Sequence, residues 1–489
     1  MPEKEKTPEK EKKPEGMSRR TAVQTVGGAV LGLAVGAAAG WLGKPTTPAQ
    51  VTTVTETATA TMTGTAALPP TTTTERDYYY DPSLSGTTIS FLSCPQPDMQ
   101  VAGPLIAKFT TDTGIAVNVS SFPEDTVQSK AAIMMGAKSG EYDIVDCTGY
   151  GSYAYAFFLQ GWVEDLATYV ENKTPSAWNK KDILSAILNA MTTSQGQIPS
   201  LPSFLTDFTY FYRNDIIQQA PSTIDELIAD AQKANNPPSV YGFTGMATPN
   251  LFSFFPWEMF FWGYGGKFFD ENYLPQFNTD AAYNATKSMY QLSKSAPAWT
   301  TTDMTGAATI MMEGKAAQST NFWSWWFSML GQGSVVTGKL GYAPHPGVVS
   351  EPHMLAGITR AINKFSQKKD AAWSFLSWFL SPTTQQALYE AGSGGTIRES
   401  VLENPRSVEK DPDSIKVAKW VANAEATGSG AKVVAGPILP WIPRVPDFLA
   451  ILVSNLAKVY GGTLDYKTAM DQTQTQTTDF MRTIGLYKG

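Results

Sequence analysis

The chain has 489 residues, a net charge of −7, 17% charged residues and 12% aromatic ones. That length admits two or three domains with full cores, and an acidic chain without a basic stripe argues against a nucleic-acid partner. With two histidines (His345, His353), two cysteines (Cys94, Cys147) and no calcium-loop pattern, no metal or cofactor is assigned.

Residues 1–16, MPEKEKTPEKEKKPEG, are a Pro/Glu/Lys repeat that cannot build a core and are expected to be disordered. In 17–43, Ser18-Arg19-Arg20 precedes an apolar run from Thr21 to Gly43. This resembles a twin-arginine export signal, and it equally suits a membrane anchor. Both readings put the rest of the chain outside the cytoplasm, tethered to the cell membrane if the segment is retained. Residues 44–85 begin with a stretch, Lys44–Thr74, that is nearly half threonine; this reads as an extended stalk. Asn118, Asn172 and Asn284 each start an N-x-[ST] pattern, a weak sign of surface exposure.

The globular part opens with Thr88–Ser93 (TISFLS), expected as a buried strand. A helix over 98–111, a strand over 115–120, a helix over 126–138 and a strand over 141–147 follow. This alternation predicts an α/β fold with a parallel sheet and crossover helices. Ligands on such sheets sit beyond the carboxyl ends of the strands, here Ser93–Gln96, Ser121-Phe122 and Cys147–Tyr150. In a 2-1-3 strand order Cys94 and Cys147 end neighbouring strands, so a disulfide between them is expected.

Further on, Asn321–Leu330 (NFWSWWFSML) crowds five aromatics into six positions, fitting neither a strand face nor a helix stripe. Flat rings with few charges suit an uncharged, hydroxylated ligand, because a sugar can stack its C–H face on a ring. The run reads equally as a heavy core segment.

Several motifs then fall in a shared order. Gly140-Glu-Tyr-Asp143-Ile-Val and Gly161-Trp-Val-Glu-Asp165-Leu come first, followed by Ile198–Pro202 through Tyr212–Asp215 and by Pro221–Leu227. Met312-Glu-Gly-Lys-Ala-Ala317 and Gly357–Leu376 complete the series. Together they resemble extracellular solute-binding proteins of ABC importers, in the carbohydrate-binding, maltose-binding-protein-like group. The departures are Arg213 where lysine is commoner and Ile224 where tryptophan is usual.

The resemblance implies a two-lobed periplasmic-binding-protein type II fold, each lobe a mainly parallel sheet flanked by helices, with three hinge crossings near 199–206, 344–352 and 392–398. Residues 86–202 with 352–392 would form one lobe, and 203–351 with 393–489 the other. The implied activity is capture of a sugar or oligosaccharide by hinge closure and delivery to ABC permease subunits, by a monomer and without catalysis. Peptide or organic-anion receptors, and an exported glycoside hydrolase using carboxylates such as Asp146, Asp207, Glu258 or Glu313, are the alternatives. A carboxylate ligand would want Arg398 or Arg444.

Ligand contacts are expected from Gln96, Thr148, Tyr150 and Tyr153 at the strand ends, and from Ser203, Thr206 and Asp207 after the first crossing. Asn250, Phe255 and Trp257 in NLFSFFPW, then Asn321, Trp323, Gly357, Arg398 and Trp441, complete the expected rim. Asp207 is expected to accept sugar hydroxyls or, alternatively, to be a solvated hinge carboxylate. Trp257 could instead be explained by a helix starting after Pro256, and Trp325 and Trp326 are expected in the core.

Overall fold

A computed structural model of the chain describes residues 76–489 except 149–150, 204, 356, 427–432 and 438–441. Residues 1–75, which hold the Pro/Glu/Lys repeat, the expected export or anchor segment and most of the expected stalk, lie outside the described residues. None of the described helices is long and apolar enough to cross a membrane.

Strand β1 (Thr88–Ser93) buries Ile89, Phe91 and Leu92, as its β-branched and aromatic residues suggest. The expected helix after it is two helices, α1 (Pro97–Val101) and α2 (Gly103–Thr113). Each starts with proline in its first turn, where the missing N–H costs no hydrogen bond. Then come β2 (Ala116–Ser121), α3 (Glu124–Gly136), β3 (Ile144–Cys147), α4 (Ser152–Leu159), α5 (Ser185–Met191) and the two-residue β4 (Leu201–Pro202).

The chain next builds β5 (Phe208–Arg213) and α6 (Ile224–Ala234). A reciprocal capping box between Thr223 and Glu226 starts α6 and satisfies two of its amides. Helix α7 (Leu251–Gly263) begins at an Asn250 cap, so Pro256 lies inside it and does not start it. Helix α8 (Asp280–Ser293), β6 (Gln318–Phe322), β7 (Leu340–Ala343), β8 (Glu351–Leu355) and β9 (Thr359–Ile362) follow. The remainder comprises α9 (Lys369–Phe379), α10 (Pro382–Ala391), α11 (Pro412–Ala426), β10 (Val433–Pro437), α12 (Val445–Tyr460) and α13 (Tyr466–Thr483).

One sheet has five strands in the order β2-β1-β3-β9-β4. Its β2-β1-β3 part is parallel and in the expected order, while β9 runs antiparallel to β3 and β4. The second sheet, β6-β5-β7, corrects the expectation of two mainly parallel sheets, since both of its ladders are antiparallel. Isolated parallel bridges join Thr244 to Ser319 of β6 and Tyr241 to Ala316 just before it. A short pair, β8 with β10, stands apart.

The chain passes between the sheets at β4 to β5, and again from β7 through β8 to β9. This second passage runs past the expected end near 352 to Ile358. The stretch after α10 packs on the first passage. A side chain at Gly395 would bring its Cβ within 2.4 Å of the Leu205 carbonyl oxygen, so only glycine fits there. Helix α4, beside the first sheet, meets α12 beside the second, and α5 meets α11. The two layers therefore touch through both helix pairs.

Candidate functional site

At the carboxyl ends of β1 and β3 a polar group is assembled. Asp146 Oδ2 accepts from the Ser93 hydroxyl (2.7 Å) and the Cys94 amide (2.8 Å), and Gln128 donates to the Asp146 carbonyl (3.1 Å). The guanidinium of Arg360, on β9, sits 3.1 Å from Asp146 Oδ1 and 3.0 Å from Asp98, between the rings of Phe91 and Phe379. Burial raises Asp146 to about 6, against the opposing pull of Arg360. Gln96 caps α1 and donates to Glu124 (2.5 Å). The Thr148 hydroxyl and the Gln128 side-chain oxygen are buried with no hydrogen-bond partner among the described residues. Tyr153 is half-buried beside them, and burial pushes its phenol up to about 12. Gln96, Thr148 and Tyr153 lie at strand ends and helix starts at this end of the sheet, together with Glu124 and Gln128, which were not singled out from the sequence.

The two cysteines are free thiols, which corrects the expected disulfide. Their strands are neighbours, but the Cys147 sulfur lies 3.9 Å from the Val145 carbonyl oxygen. Burial pushes both thiols far up, so neither is a thiolate.

Near the passages, Ser203 pairs with Ile358 through its amide (3.1 Å) and hydroxyl (3.3 Å). The Thr206 hydroxyl accepts from the Ser324 amide (3.2 Å). Asp207 is a correction: its carboxylate is fully engaged inside the protein. One oxygen accepts from the Phe208 and Met354 amides (2.8 Å each), and the other lies 2.7 Å from His353 Nδ1. Gly357 has φ of 149°, a conformation that favours glycine.

Around the second sheet, Trp323 is a further correction, being only 1% exposed. Its ring stacks on Trp326 (5.0 Å) and Phe211 (6.0 Å), and its indole nitrogen donates to Ser414 of α11 (2.7 Å). Trp326 is core as expected, while Trp325 is half-buried. What remains partly open beside this stack is Tyr342, which donates to Asp413 (2.5 Å), and Trp420. Lys416 lies over both of those rings, at 5.0 and 5.6 Å.

Four more expected contacts are core or capping residues. Trp257 is fully buried, stacked on Phe261 (4.7 Å), and donates to Thr286 (2.8 Å). Phe255 packs on Phe252, Phe254 and Phe322. Asn321 is buried, donating to the Met304 carbonyl oxygen and accepting from Phe322. Asn250 is the exposed cap of α7.

Arg398, expected at the rim, is buried and donates to the carbonyl oxygens of Leu380, Trp178 and Asn179, with Asp182 at 3.7 Å. Those carbonyls left over at helix and turn ends explain why the arginine folds inward. Arg444 is exposed and paired to Asp447 (3.0 Å). Tyr150 and Trp441 lie outside the described residues.

Residues 96–386, well over half the chain, match the family model described as bacterial extracellular solute-binding protein. A probable amino-acid ABC transporter periplasmic-binding protein, y4oP, of Sinorhizobium fredii is 24% identical over 68% of this chain and 77% of its own length. The erythritol/L-threitol-binding protein of Mycolicibacterium smegmatis is 25% identical over 65% of this chain and 72% of its own. Among solved structures, an ABC transporter solute-binding protein of Agrobacterium radiobacter K84 in complex with ribitol superposes with a TM-score of 0.73 at 25% identity. That match covers 81% of this chain and 99% of the other. Two sheets joined by repeated passages, and a family match running through both, lead to one conclusion: the chain belongs to the bacterial extracellular solute-binding proteins.

Proposed function

We propose that the protein is a membrane-tethered receptor that captures an uncharged, polyhydroxylated solute, a sugar or sugar alcohol, and delivers it to the permease of an ABC importer. The layer around the five-stranded sheet would close on the layer around the second sheet, hinging where the two passages run between them. A ligand can shift that closure only by its preference for the closed form.

The observation that carries the uncharged ligand is the state of the arginines. Arg398 is engaged by carbonyl oxygens, Arg360 is neutralised by two aspartates and Arg444 is paired at the surface. A ligand carboxylate would need such a cation. Gln96, Glu124, Gln128, Thr148 and Tyr153 instead suit hydroxyl groups. The ribitol and erythritol relatives support this reading.

No chemistry on the ligand is proposed, because the candidate carboxylates have separate surroundings. Asp146 faces Arg360, Asp207 faces His353, Glu258 is buried in α7, and Glu313 is exposed at a helix end. The amino-acid relative favours a second reading, an amino-acid ligand.

Scanning calorimetry with ribitol, erythritol, maltose, L-alanine and L-glutamate separates the two. A polyol or sugar at a hundred times its Kd should stabilise the fold by about 2.7 kcal/mol and be recovered intact. Stabilisation by the amino acids alone overturns the proposal.

A further inference from the structure

Two rungs tie the first and second passages together. On the side of the five-stranded sheet, Ser203 bonds Ile358. On the side of the three-stranded sheet, Asp207 holds both the Met354 amide and the His353 ring. Beside the second rung, Thr206 is bound to Ser324 near the second sheet.

We propose that the buried Asp207–His353 ion pair is a positioning element of the hinge, locking both passages to the second lobe so that they move with it on closure. The pair is 146 positions apart in sequence and 2% exposed on each side, so water competes little for it. Gly357, with φ of 149°, lies between the two rungs on the second passage.

The groups facing His353 are Asp207 from the first passage and Glu351 (3.1 Å) from its own strand, with the Trp420 ring of α11 at 6.4 Å. His345, electrostatically coupled to it, is held neutral because burial lowers it to about 3. Burial alone would lower His353 too, but Asp207 and then Glu351 outweigh that and raise it to about 10. The rung therefore stays charged through neutral pH and is lost as pH rises through about 10.

The inference rests on hinge closure and not on the ligand assignment, so it is tested without ligand. Spin labels at Glu141→Cys and Lys287→Cys, both exposed positions in different lobes, report the interlobe distance by pulsed electron resonance, while nuclear resonance follows His353. The distance distribution should be narrow at neutral pH and broaden as His353 deprotonates near pH 10. Glu351→Gln should move both midpoints together to lower pH, and His353→Gln should be broad at every pH. A distribution that stays narrow while His353 titrates, or a neutral His353 ring at pH 8, overturns the proposal. If His353→Gln does not fold, the titration of the unsubstituted hinge decides alone.

Discussion

In the five-stranded layer Arg360 is fully buried between Asp98 and Asp146, whereas in the helical layer around the second sheet Glu258 is fully buried with neither carboxyl oxygen hydrogen-bonded among the described residues. The two sites resolve one problem differently. An ion moved out of water costs several kcal/mol, and a protein meets that cost either by pairing the charge or by abolishing it. Arg360 keeps its charge because two carboxylates and two ring faces surround it. Glu258 loses its charge, because burial raises its pKa well above the usual value. The paired site sits beneath the strand ends that would meet a ligand, where a fixed charge network also holds Ser93, Cys94 and Gln128 in place.

The largest effect should come from breaking the paired site. Arg360→Met leaves Asp98 and Asp146 buried without their counter-charge, and unfolding in urea should show a loss of about 3–5 kcal/mol. A loss below about 1 kcal/mol would mean that the two aspartates relax to water or protonate freely, and the contrast with Glu258 would vanish.

The unpaired site should appear as a pH slope. The folded pKa of Glu258 is raised, so the folded state holds a proton that the unfolded chain has released above about 4.3. Its contribution is complete below that pH and is lost as pH climbs toward the folded pKa, at up to about 1.4 kcal/mol per pH unit. Glu258→Gln, a neutral isostere, should remove this component. Equal slopes for the two proteins between pH 5 and 8 would show that Glu258 is ionised.

The same contrast explains what could be read from the sequence. The β2-β1-β3 order followed from strands and helices alternating at short spacing, and the first passage from the proline-bearing stretch ending near Thr206. These are local patterns. Trp323 was ambiguous because a ring-rich run looks alike whether it meets a ligand or a helix. Ser414 and Val417, which seal it, come from α11, some ninety residues downstream. Arg398 read as a free cation because backbone carbonyls leave no trace in a one-letter code. Asp207 was singled out as following the first passage, but its partner His353 could not be seen across 146 positions. Glu124 carries a signal that could have been used, since it follows β2 as Gln96 follows β1.

The smallest effect belongs to Arg444, whose ion pair with Asp447 is about half exposed on both sides. Exposed pairs are worth about 0–1 kcal/mol, because water screens them and two long side chains must be ordered. Arg444→Gln removes the charge from an exposed pair, so stability should change by less than about 0.5 kcal/mol. The informative readout is binding. If the ligand is uncharged, ribitol titrated into Arg444→Gln should give the Kd of the unsubstituted protein, at low salt as well as high. A loss of affinity confined to low salt would place a positive field on the ligand's path. An anionic ligand would then be the better reading, for Arg444 is the arginine among the three that an incoming carboxylate could reach without dismantling a buried network.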